Sequence, residues 1–504
     1  MVPASGDETI GGAAQAKTPI NSIPAEGWPD LVADKEEIAM RKPRLARKRR
    51  IPEPQRSELP RINLDAAGLD IHQAEIWACV PCDRAEEPIR CFGTYTPDLE
   101  SLADWLQACG IKTVAMESTG VYWIPIYEIL EQRGLELYVV NARHAKNVAG
   151  RKDDVCDAQW IQTLHSYGLL SRSFLPDATW RPLRAYWRHR MGLIQHRASH
   201  IQHMQKALQQ MNVQLTQVLS DITGVTGMQI IRAIVAGERD PVTLAQFRDR
   251  RCAHSTENIA KALTGNYRAE HVFALKQALA LYDFYTAQIA ECDAEMERLY
   301  AEMQDVSGPD GDPLPPLGPR SNNNSHSKNA PTFDLRTHLY RITGVDLVAI
   351  TGLEESTIQT IISETGIDMS RWCTVKRFGS WLGLAPRNDI SAGKVLRTKT
   401  AKQRNRAGQA FRMAAQSVNR SNTAIGAYYR RLAARVGVQQ ATVATAYKIA
   451  RIFYTMLKKR TQFQETGADE YERRYRERAI ARLGKKAFTF GYRLVPVETE
   501  AAAA

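Results

Sequence analysis

The chain has 504 residues, and its 67 lysines and arginines outnumber its 55 aspartates and glutamates, which gives a net charge of +12. This length predicts roughly three domains, and the positive charge favours a polyanionic partner such as nucleic acid. No apolar run approaches the roughly 20 residues of a membrane span, and the first residues have no secretory pattern. We therefore expect a cytoplasmic protein with no membrane contact, whose eight cysteines are reduced.

Residues 1–60 have the composition of a disordered arm, with few aromatic residues. The arm ends in a basic block, RKPRLARKRR, at residues 41–50. Such a block can bind phosphate by displacing counterions, and it can equally be a solvated tail without a specific partner. The sequence alone leaves both interpretations open.

Residues 61–178 predict an α/β domain, because short apolar stretches alternate with amphipathic ones. We predict strands at residues 69–79 (a hairpin broken near His72), 90–95, 112–116 and 135–141. We predict helices at residues 98–109, 122–133 and 153–167, with Gly110 and Gly134 ending the first two. Three strands followed by alternating helices and strands is the order of the RNase H fold.

Four carboxylates fall where that fold brings acids together, on the first strand, the fourth strand and the last helix. They are Asp70, Glu117, Asp154 and Asp157. A carboxylate in a strand core is costly unless it is paired or binds a cation, and oxygen ligands from several elements suit Mg²⁺. Two such ions about 4 Å apart serve phosphodiester chemistry. Each acid alone could be a surface carboxylate or a helix cap; together they predict a metal site. Lys152 is either a phosphate contact or an exposed lysine at a helix start.

The rest of the chain is predicted to be mostly helical. Apolar residues recur every seven positions within residues 179–305, which predicts two long helices in a coiled coil, within the chain or between protomers. Glycine, proline and asparagine make residues 306–333 a flexible linker, and residues 334–490 form a basic helical domain before a tail at 491–504. The turn at residues 342–346 resembles the hairpin of a helix-hairpin-helix, whose amides contact phosphate.

Ser391 lies in a loop of the basic domain. Pro386 stops the preceding helix, and Ala392 and Gly393 permit a turn that exposes the Ser391 hydroxyl. An activated hydroxyl there could attack phosphate, although the residues alone favour a simple turn. Basic residues that could contact nucleic acid surround it: Arg387, Lys394, Arg397, Lys399, Lys402, Arg404 and Arg412.

Together these motifs resemble the DEDD transposases, the insertion-sequence family numbered one-hundred-ten. Residues 67–71, 116–120 and 152–158 match the RuvC-like half of that family in order, and residues 342–345, 378–386 and 391–394 resemble its C-terminal half. The resemblance implies an RNase H-like, RuvC-like N-terminal domain with Mg²⁺ on Asp70, Glu117, Asp154 and Asp157. It implies that Ser391 is the nucleophile of a recombinase that forms a phosphoserine intermediate with DNA.

The family also implies partners. A structured bridge RNA would pair with donor and target DNA, so that base pairing reads sequence while the protein reads backbone and shape. Members act as oligomers, so we expect a dimer or tetramer in the bacterial nucleoid. Ala392 stands where the family commonly has Gly, and Ile390 where a second Ser often occurs, which leaves Ser391 as the local candidate.

Two other functions are compatible with parts of the sequence. A RuvC-like, Mg²⁺-dependent hydrolytic nuclease would use water as its nucleophile and Ser391 as a turn residue. A non-catalytic architectural nucleic-acid-binding protein would use its acids only for stability.

Overall fold

The computed structural model describes residues 60–118, 120–141, 154–307, 314, 316, 328–400 and 405–495, without the side chains of residues 154–156, 387, 398 and 399. All of the predicted arm at 1–60 except residue 60, and the predicted tail from residue 496 onward, lie outside the described residues. The chain forms two compact units, Met1–Leu175 and Pro176–Ala504.

The first unit is built on a five-stranded mixed sheet with strand order β3-β2-β1-β4-β5. Strands β1 and β2, and β2 and β3, are antiparallel, whereas β1–β4 and β4–β5 are parallel. The elements follow the predicted order and differ from the predicted bounds by a few residues. They are β1 (Ala66–Ile71), β2 (Glu75–Cys79), β3 (Ile89–Gly93), α1 (Thr96–Ala108), β4 (Thr113–Glu117), α2 (Trp123–Gln132), β5 (Glu136–Val140) and α3 (Asp154–Ser166).

Helices cover the sheet on both faces. Alternate β1 residues, Leu69 among them, join a core with α1 and α2. The other face carries Ala115 of β4, which packs against Ile161 and Leu164 of α3. Because strand side chains alternate between faces, Gly68 and Asp70 belong to the α3 side of β1. This is the α/β start that the sequence predicted.

In its described residues the second unit is mostly helical, as predicted, and contains one β-hairpin. Its helices are α4 (Trp180–Gln210), α5 (Leu215–Val218), α6 (Val225–Ala236), α7 (Pro241–Ala245), α8 (Thr256–Ala262), α9 (Ala269–Glu302), α10 (Leu335–Thr343), α11 (Glu355–Thr365), α12 (Val375–Trp381), α13 (Arg406–Ser417), α14 (Ala424–Val436), α15 (Val438–Lys459) and α16 (Ala468–Thr489). The hairpin strands are β6 (Pro386–Ser391) and β7 (Lys394–Thr400).

Helices α4 and α9 are the two long helices that the heptads predicted, and they pack against each other antiparallel within the chain. Leu193 near the middle of α4 meets Ile289 in the second half of α9, and Leu208 near the end of α4 shares a core with Leu275 near the beginning of α9. A buried ion pair fixes the register, because Arg190 Nε donates to Asp293 Oδ1 at 2.5 Å with both side chains 1% exposed.

The end of the predicted linker is held against these helices. Arg190 donates to the Asn329 carbonyl at 3.0 Å, Arg197 donates to Asn329 Oδ1 at 2.8 Å, and the Thr332 amide donates to Asp293 at 3.1 Å. Most of residues 308–327 lie outside the described residues. Residues 329–332 are therefore fixed against the α4–α9 pair.

The C-terminal helices form a core that supports the hairpin. Phe378 and Trp381 of α12 pack with Trp372, Phe411 of α13 and Tyr454 of α15. Trp187 of α4 donates to Thr360 of α11 at 2.9 Å, which ties the long helices to this core. The hairpin thus leaves from, and returns to, rigidly packed helices.

Candidate active site

Asp70 and Glu117 lie at the carboxyl ends of two neighbouring parallel strands. Leu69 of β1 pairs in register with Met116 of β4, and Asp70 and Glu117 are the next residues of each strand. Asp70 follows Gly68 by two residues, and Glu117 follows Ala115 by two residues. Gly68 and Ala115 both lie on the α3 side of the sheet. By strand alternation, both carboxylates belong to that side.

Helix α3 runs antiparallel to β1. Its end meets the beginning of the strand, because Asn63 donates to the His165 carbonyl at 2.8 Å and Gln162 donates to the Ala66 carbonyl at 3.2 Å. The first turn of α3, which begins at Asp154, therefore lies over the carboxyl end of β1.

Gly68 allows this close approach between strand and helix. A Cβ at Gly68 would lie 2.3 Å from the Gln162 nitrogen and 2.4 Å from the Ala158 oxygen, both backbone atoms of α3. Ala158 directly follows Asp157 and is one helical turn beyond Asp154. The contact brings the helix backbone that carries both acids onto the strand that carries Asp70.

Asp70 is almost buried, at 8% exposed, and its carboxylate lies 3.0 Å from His72 Nε2. Sequence reasoning did not assign His72 a role. The feature of the sequence that could have identified His72 is its spacing of two residues from Asp70, which puts both side chains on one face of an extended chain. His72 is positioned to orient the Asp70 carboxylate.

The donor chemistry of this end of the sheet fits a hard divalent cation. Among the described side chains, no group of three His, Cys, Asp or Glu residues is close enough to hold a metal ion. The side chains of Asp70, Glu117 and Asp157 are described and do not form such a group, whereas the Asp154 side chain lies outside the described set. Carboxylate oxygens from two strands and one helix, with Asp70 nearly buried, are the ligand type that Mg²⁺ prefers.

His165 fastens the opposite end of α3. It is 1% exposed and bonds Thr113 Oγ1 of β4 at 2.9 Å. Burial lowers the pKa of its imidazole to about 4, so the side chain is neutral near pH 7. Its role here is to hold helix to sheet.

Ser391 is exposed at the tip of the β6–β7 hairpin, where the sequence analysis expected a loop. Ser391 pairs with Lys394 across a two-residue turn in which Ala392 and Gly393 have φ of +47° and +78°. Two positive φ values are typical of a type I′ turn, which matches the twist of the flanking strands. The serine is therefore presented on ordered backbone, directly opposite a lysine.

A β-bulge organises the hairpin's charges. Asp389 pairs with Arg397 and Ile390 with Val395, so Leu396 is an extra residue in β7. With this bulge, Arg397 shares the face of Asp389, Ser391 and Lys394. Ile390 and Val395 form the other face, where they are 62% and 48% exposed. In the backbone register, Arg387 pairs with Lys399 two positions further from the tip.

The remaining predicted nucleic-acid contacts have different surroundings. Arg412 of α13 donates to the Gly383 carbonyl at 2.8 Å and burial lowers its pKa, so it braces the chain that leads into the hairpin. Lys152, Lys402 and Arg404 lie outside the described residues.

The prediction that the amides of the turn at residues 342–346 contact phosphate is wrong, because they are already hydrogen-bonded within the protein. The amides of Gly344, Val345 and Asp346 donate to Tyr340, Thr343 and Gln462 within the protein. Amides that are satisfied internally do not also serve a phosphate, so this turn is a structural joint.

The acids belong to the first unit and Ser391 to the second. An α/β sheet with acids at its parallel strand ends, followed in the chain by a basic helical unit with an exposed serine, has the organisation of a DEDD transposase. A family model for DEDD transposases of the IS110 type, described as "Transposase", matches residues 67–213. The model described as "Transposase IS116/IS110/IS902 family" matches residues 346–430.

The chain belongs to the IS110 family of transposases and is an enzyme that acts on DNA. The first match contains the four predicted acids, and the second contains Ser391 and Arg412. No curated protein matches the chain. Among the described helices, none is long and apolar enough to cross a membrane.

Proposed function

We propose that this transposase cuts and rejoins DNA through a covalent bond between Ser391 and a DNA phosphate, with Mg²⁺ held by Asp70, Glu117, Asp154 and Asp157. The observation that carries the proposal is the hairpin. An exposed hydroxyl sits opposite Lys394 on a face that also bears Arg397, next to a turn that fixes its position. Lys394 and Arg397, together with Asp389 on the same face, leave a net charge of about +1 beside the nucleophile, which matches the single negative charge of a phosphodiester.

In the proposed first step, Ser391 Oγ attacks phosphorus and the bond from phosphorus to the departing DNA oxygen breaks. The serine proton passes to a base, and the departing oxygen gains a proton to become a free hydroxyl. Lys394 and Arg397 bind the phosphate oxygens. Because one phosphodiester replaces another, the free energy of the broken bond is kept and rejoining to a new strand needs no ATP. Bound Mg²⁺ would offset the negative charge that develops at phosphorus.

The chemistry needs the acids of one unit and the serine of the other to meet at one phosphate. We infer that this happens on DNA in a homo-oligomer, a dimer or tetramer, with the long helices contributing coiled-coil contacts between protomers. A bridge RNA that pairs with donor and target DNA would supply sequence choice. The basic block at residues 41–50 and the net charge of +12 support an RNA-bound, nucleoid-associated protein of the cytoplasm.

The proposal is tested with Ser391→Ala on DNA carrying the element ends. We expect wild type to form a protein–DNA adduct that survives denaturing electrophoresis, and Ser391→Ala to lose the adduct while it still binds DNA. Ser199→Ala, on an exposed position of α4, is the matched control and should keep the adduct. Normal joining by Ser391→Ala would refute the serine mechanism, and cleavage without any adduct in wild type would indicate hydrolysis by water.

The acids are tested separately with Asp70→Asn. Metal-dependent cleavage should disappear while DNA binding persists. If Asp70→Asn lowers stability but leaves cleavage intact, the acids are structural. RNA that co-purifies with the wild-type protein, and that carries loops complementary to the element junctions, is the expected result for guidance; nucleic-acid-free protein that recombines alone would exclude it.

A further inference from the structure

One face of the β6–β7 hairpin carries the proposed nucleophile together with three charged residues. Strand side chains alternate between faces, and the extra residue Leu396 shifts this alternation in β7 by one position. The residues that share the face are Asp389, Ser391, Lys394 and Arg397. Asp389 precedes Ser391 by two residues on β6 and pairs directly with Arg397 on β7. The carboxylate and the hydroxyl are therefore neighbours along one strand.

The spacing of Asp389 and Ser391 lets their side chains meet. Residues two apart on a strand lie about 6.6 Å apart along the backbone and project from the same face. Asp70 and His72 have the same spacing, and there a carboxylate oxygen lies 3.0 Å from a ring nitrogen. Among the described side chains, Asp389 has no hydrogen-bond or ion-pair partner. Its carboxylate is therefore free to accept the Ser391 hydroxyl, and catalytic hydrogen bonds often tighten only when substrate binds.

The chemistry of this face singles out Asp389 as the group that can take a proton. A lysine ammonium and an arginine guanidinium have hydrogen-bond donors and no acceptor, whereas an ionised carboxylate only accepts. Asp389 is the one acidic residue in the sequence of the hairpin, residues 386–400. A serine hydroxyl is a weak nucleophile until an adjacent base removes its proton. The hairpin therefore contains both the hydroxyl and one carboxylate placed to activate it.

We propose that Asp389 is the general base that accepts the Ser391 proton when the serine attacks a DNA phosphate. This inference rests on the proposed serine mechanism and names the proton acceptor that the mechanism needs. The Ser391 Oγ–H bond breaks, its proton passes to an Asp389 carboxylate oxygen, Oγ bonds to phosphorus, and the bond from phosphorus to the departing DNA oxygen breaks. The departing oxygen takes a proton from solvent and Asp389 later releases one, so the net change moves one proton from serine to the new hydroxyl. In rejoining, protonated Asp389 returns a proton to Ser391 Oγ.

The same proton transfer matches the charge of the hairpin face to that of the reacting phosphate. Before the attack, Lys394, Arg397 and ionised Asp389 give the face a net charge of about +1 beside a singly charged phosphodiester. The proton that Asp389 accepts raises this charge to about +2 while negative charge builds on the phosphate oxygens. The face therefore stabilises the transition state more than the ground state, and only such a difference accelerates a chemical step.

Asp389→Asn distinguishes a general base from a simple electrostatic contact by the sign of its effect. If the carboxylate only reduces the positive charge of the face, its neutralisation should strengthen DNA binding and speed adduct formation. If it is the base, the rate of adduct formation should fall roughly 100- to 10,000-fold while DNA binding stays as tight as in wild type or becomes tighter. Asp389→Glu keeps a carboxylate and should recover part of the rate. Asn388→Ala, at an exposed position on the opposite face of β6, is the control and should keep the full rate.

The experiment measures single-turnover rates of protein–DNA adduct formation by the full-length chain, with saturating DNA, at roughly pH 6 to 9. The wild-type rate should level off as pH rises, because the ionised carboxylate takes the serine proton and added hydroxide contributes nothing. The Asp389→Asn rate should instead rise about tenfold per pH unit, because hydroxide from solvent must then remove the proton. DNA affinity and melting temperature, measured on the same variants, establish that the hairpin remains folded and still binds its substrate.

Three results would overturn the assignment of Asp389 and leave the serine mechanism standing. They are an Asp389→Asn adduct rate equal to or above that of wild type, a slower rate with the wild-type pH profile, and a loss of DNA binding that accounts for the slower rate. The first would place the proton acceptor elsewhere, and the other two would make the carboxylate structural. A wild type that forms no adduct at any pH would refute the serine mechanism itself, and this inference with it.

Discussion

Gly68→Ala tests whether strand β1 and helix α3 hold the acids together. The added methyl would lie 2.3 Å from the Gln162 nitrogen and 2.4 Å from the Ala158 oxygen. Non-bonded heavy atoms pack at about 3.5–4.0 Å, so the helix must move outward by about 1 Å or more. Both obstructing atoms are backbone, so no side chain can rotate away to relieve the clash.

The expected cost has two parts. Overpacking of this kind destabilises a core by about 1–3 kcal/mol, and a rigid backbone contact puts Gly68→Ala at the upper end. A displacement of about 1 Å at a catalytic constellation lowers activity roughly 100-fold. The first turn of α3 moves with the helix, so Asp154 and Asp157 would separate from Asp70 by a similar distance.

The assay compares denaturant midpoints and Mg²⁺-dependent DNA cleavage for wild type, Gly68→Ala and Gly192→Ala. Gly192 lies inside α4, where an added methyl would have nothing within 4 Å. The control should therefore gain up to about 1 kcal/mol from helix propensity and keep full activity. If Gly68→Ala keeps both wild-type stability and wild-type cleavage, α3 does not lie on β1 as described and the acids do not depend on that contact.

Three further outcomes are expected. Burial lowers the pKa of His165 from 6.5 to about 4, so between these pH values the imidazole is protonated in the unfolded first unit and neutral in the folded one. The free energy of unfolding should therefore fall by about 3 kcal/mol as the pH drops from 6.5 to about 4. His165→Gln should flatten the pH dependence of the melting temperature. Asp293→Ala leaves the Arg190 guanidinium buried without its carboxylate and should lower the free energy of unfolding, measured with urea, by about 3–5 kcal/mol. The double variant Asp293→Ala with Arg190→Met should recover part of this loss. Ala392→Gly should relieve about 1–2 kcal/mol of left-handed strain, measured by melting temperature, and leave the DNA adduct intact.

The N-terminal elements could be predicted because their signals are local. Strand and helix lengths follow from apolar periodicity, and Gly110 and Gly134 adopt φ of +69° and +77° after α1 and α2, as the sequence predicted for helix ends. The strand–helix contact at Gly68 could not be predicted in this way. It joins residues about 90 positions apart, and nothing in the spacing of Gly68 shows which backbone approaches it.

The serine hairpin shows where local signals fail. The turn at Ala392 and Gly393 was predicted, but β6 and β7 were not, because their residues are mostly polar and neither face is buried. Arg412 looked like another basic contact, yet its guanidinium supports the Gly383 carbonyl. A sequence lists charges, whereas only the fold separates those that brace the protein from those left at its surface.

The extra residue in β7 has a consequence for how this segment can vary. Lys394 and Arg397 are an odd number of positions apart, so a regular strand would point them in opposite directions, and Leu396 restores the match. Deleting or inserting one residue between Lys394 and Arg397 would turn the Arg397 side chain to the face opposite Ser391, while a change of two residues would keep it on the same face. The number of residues between Lys394 and Arg397 can therefore change only by an even number if both side chains are to stay on one face, whichever residues occupy those positions.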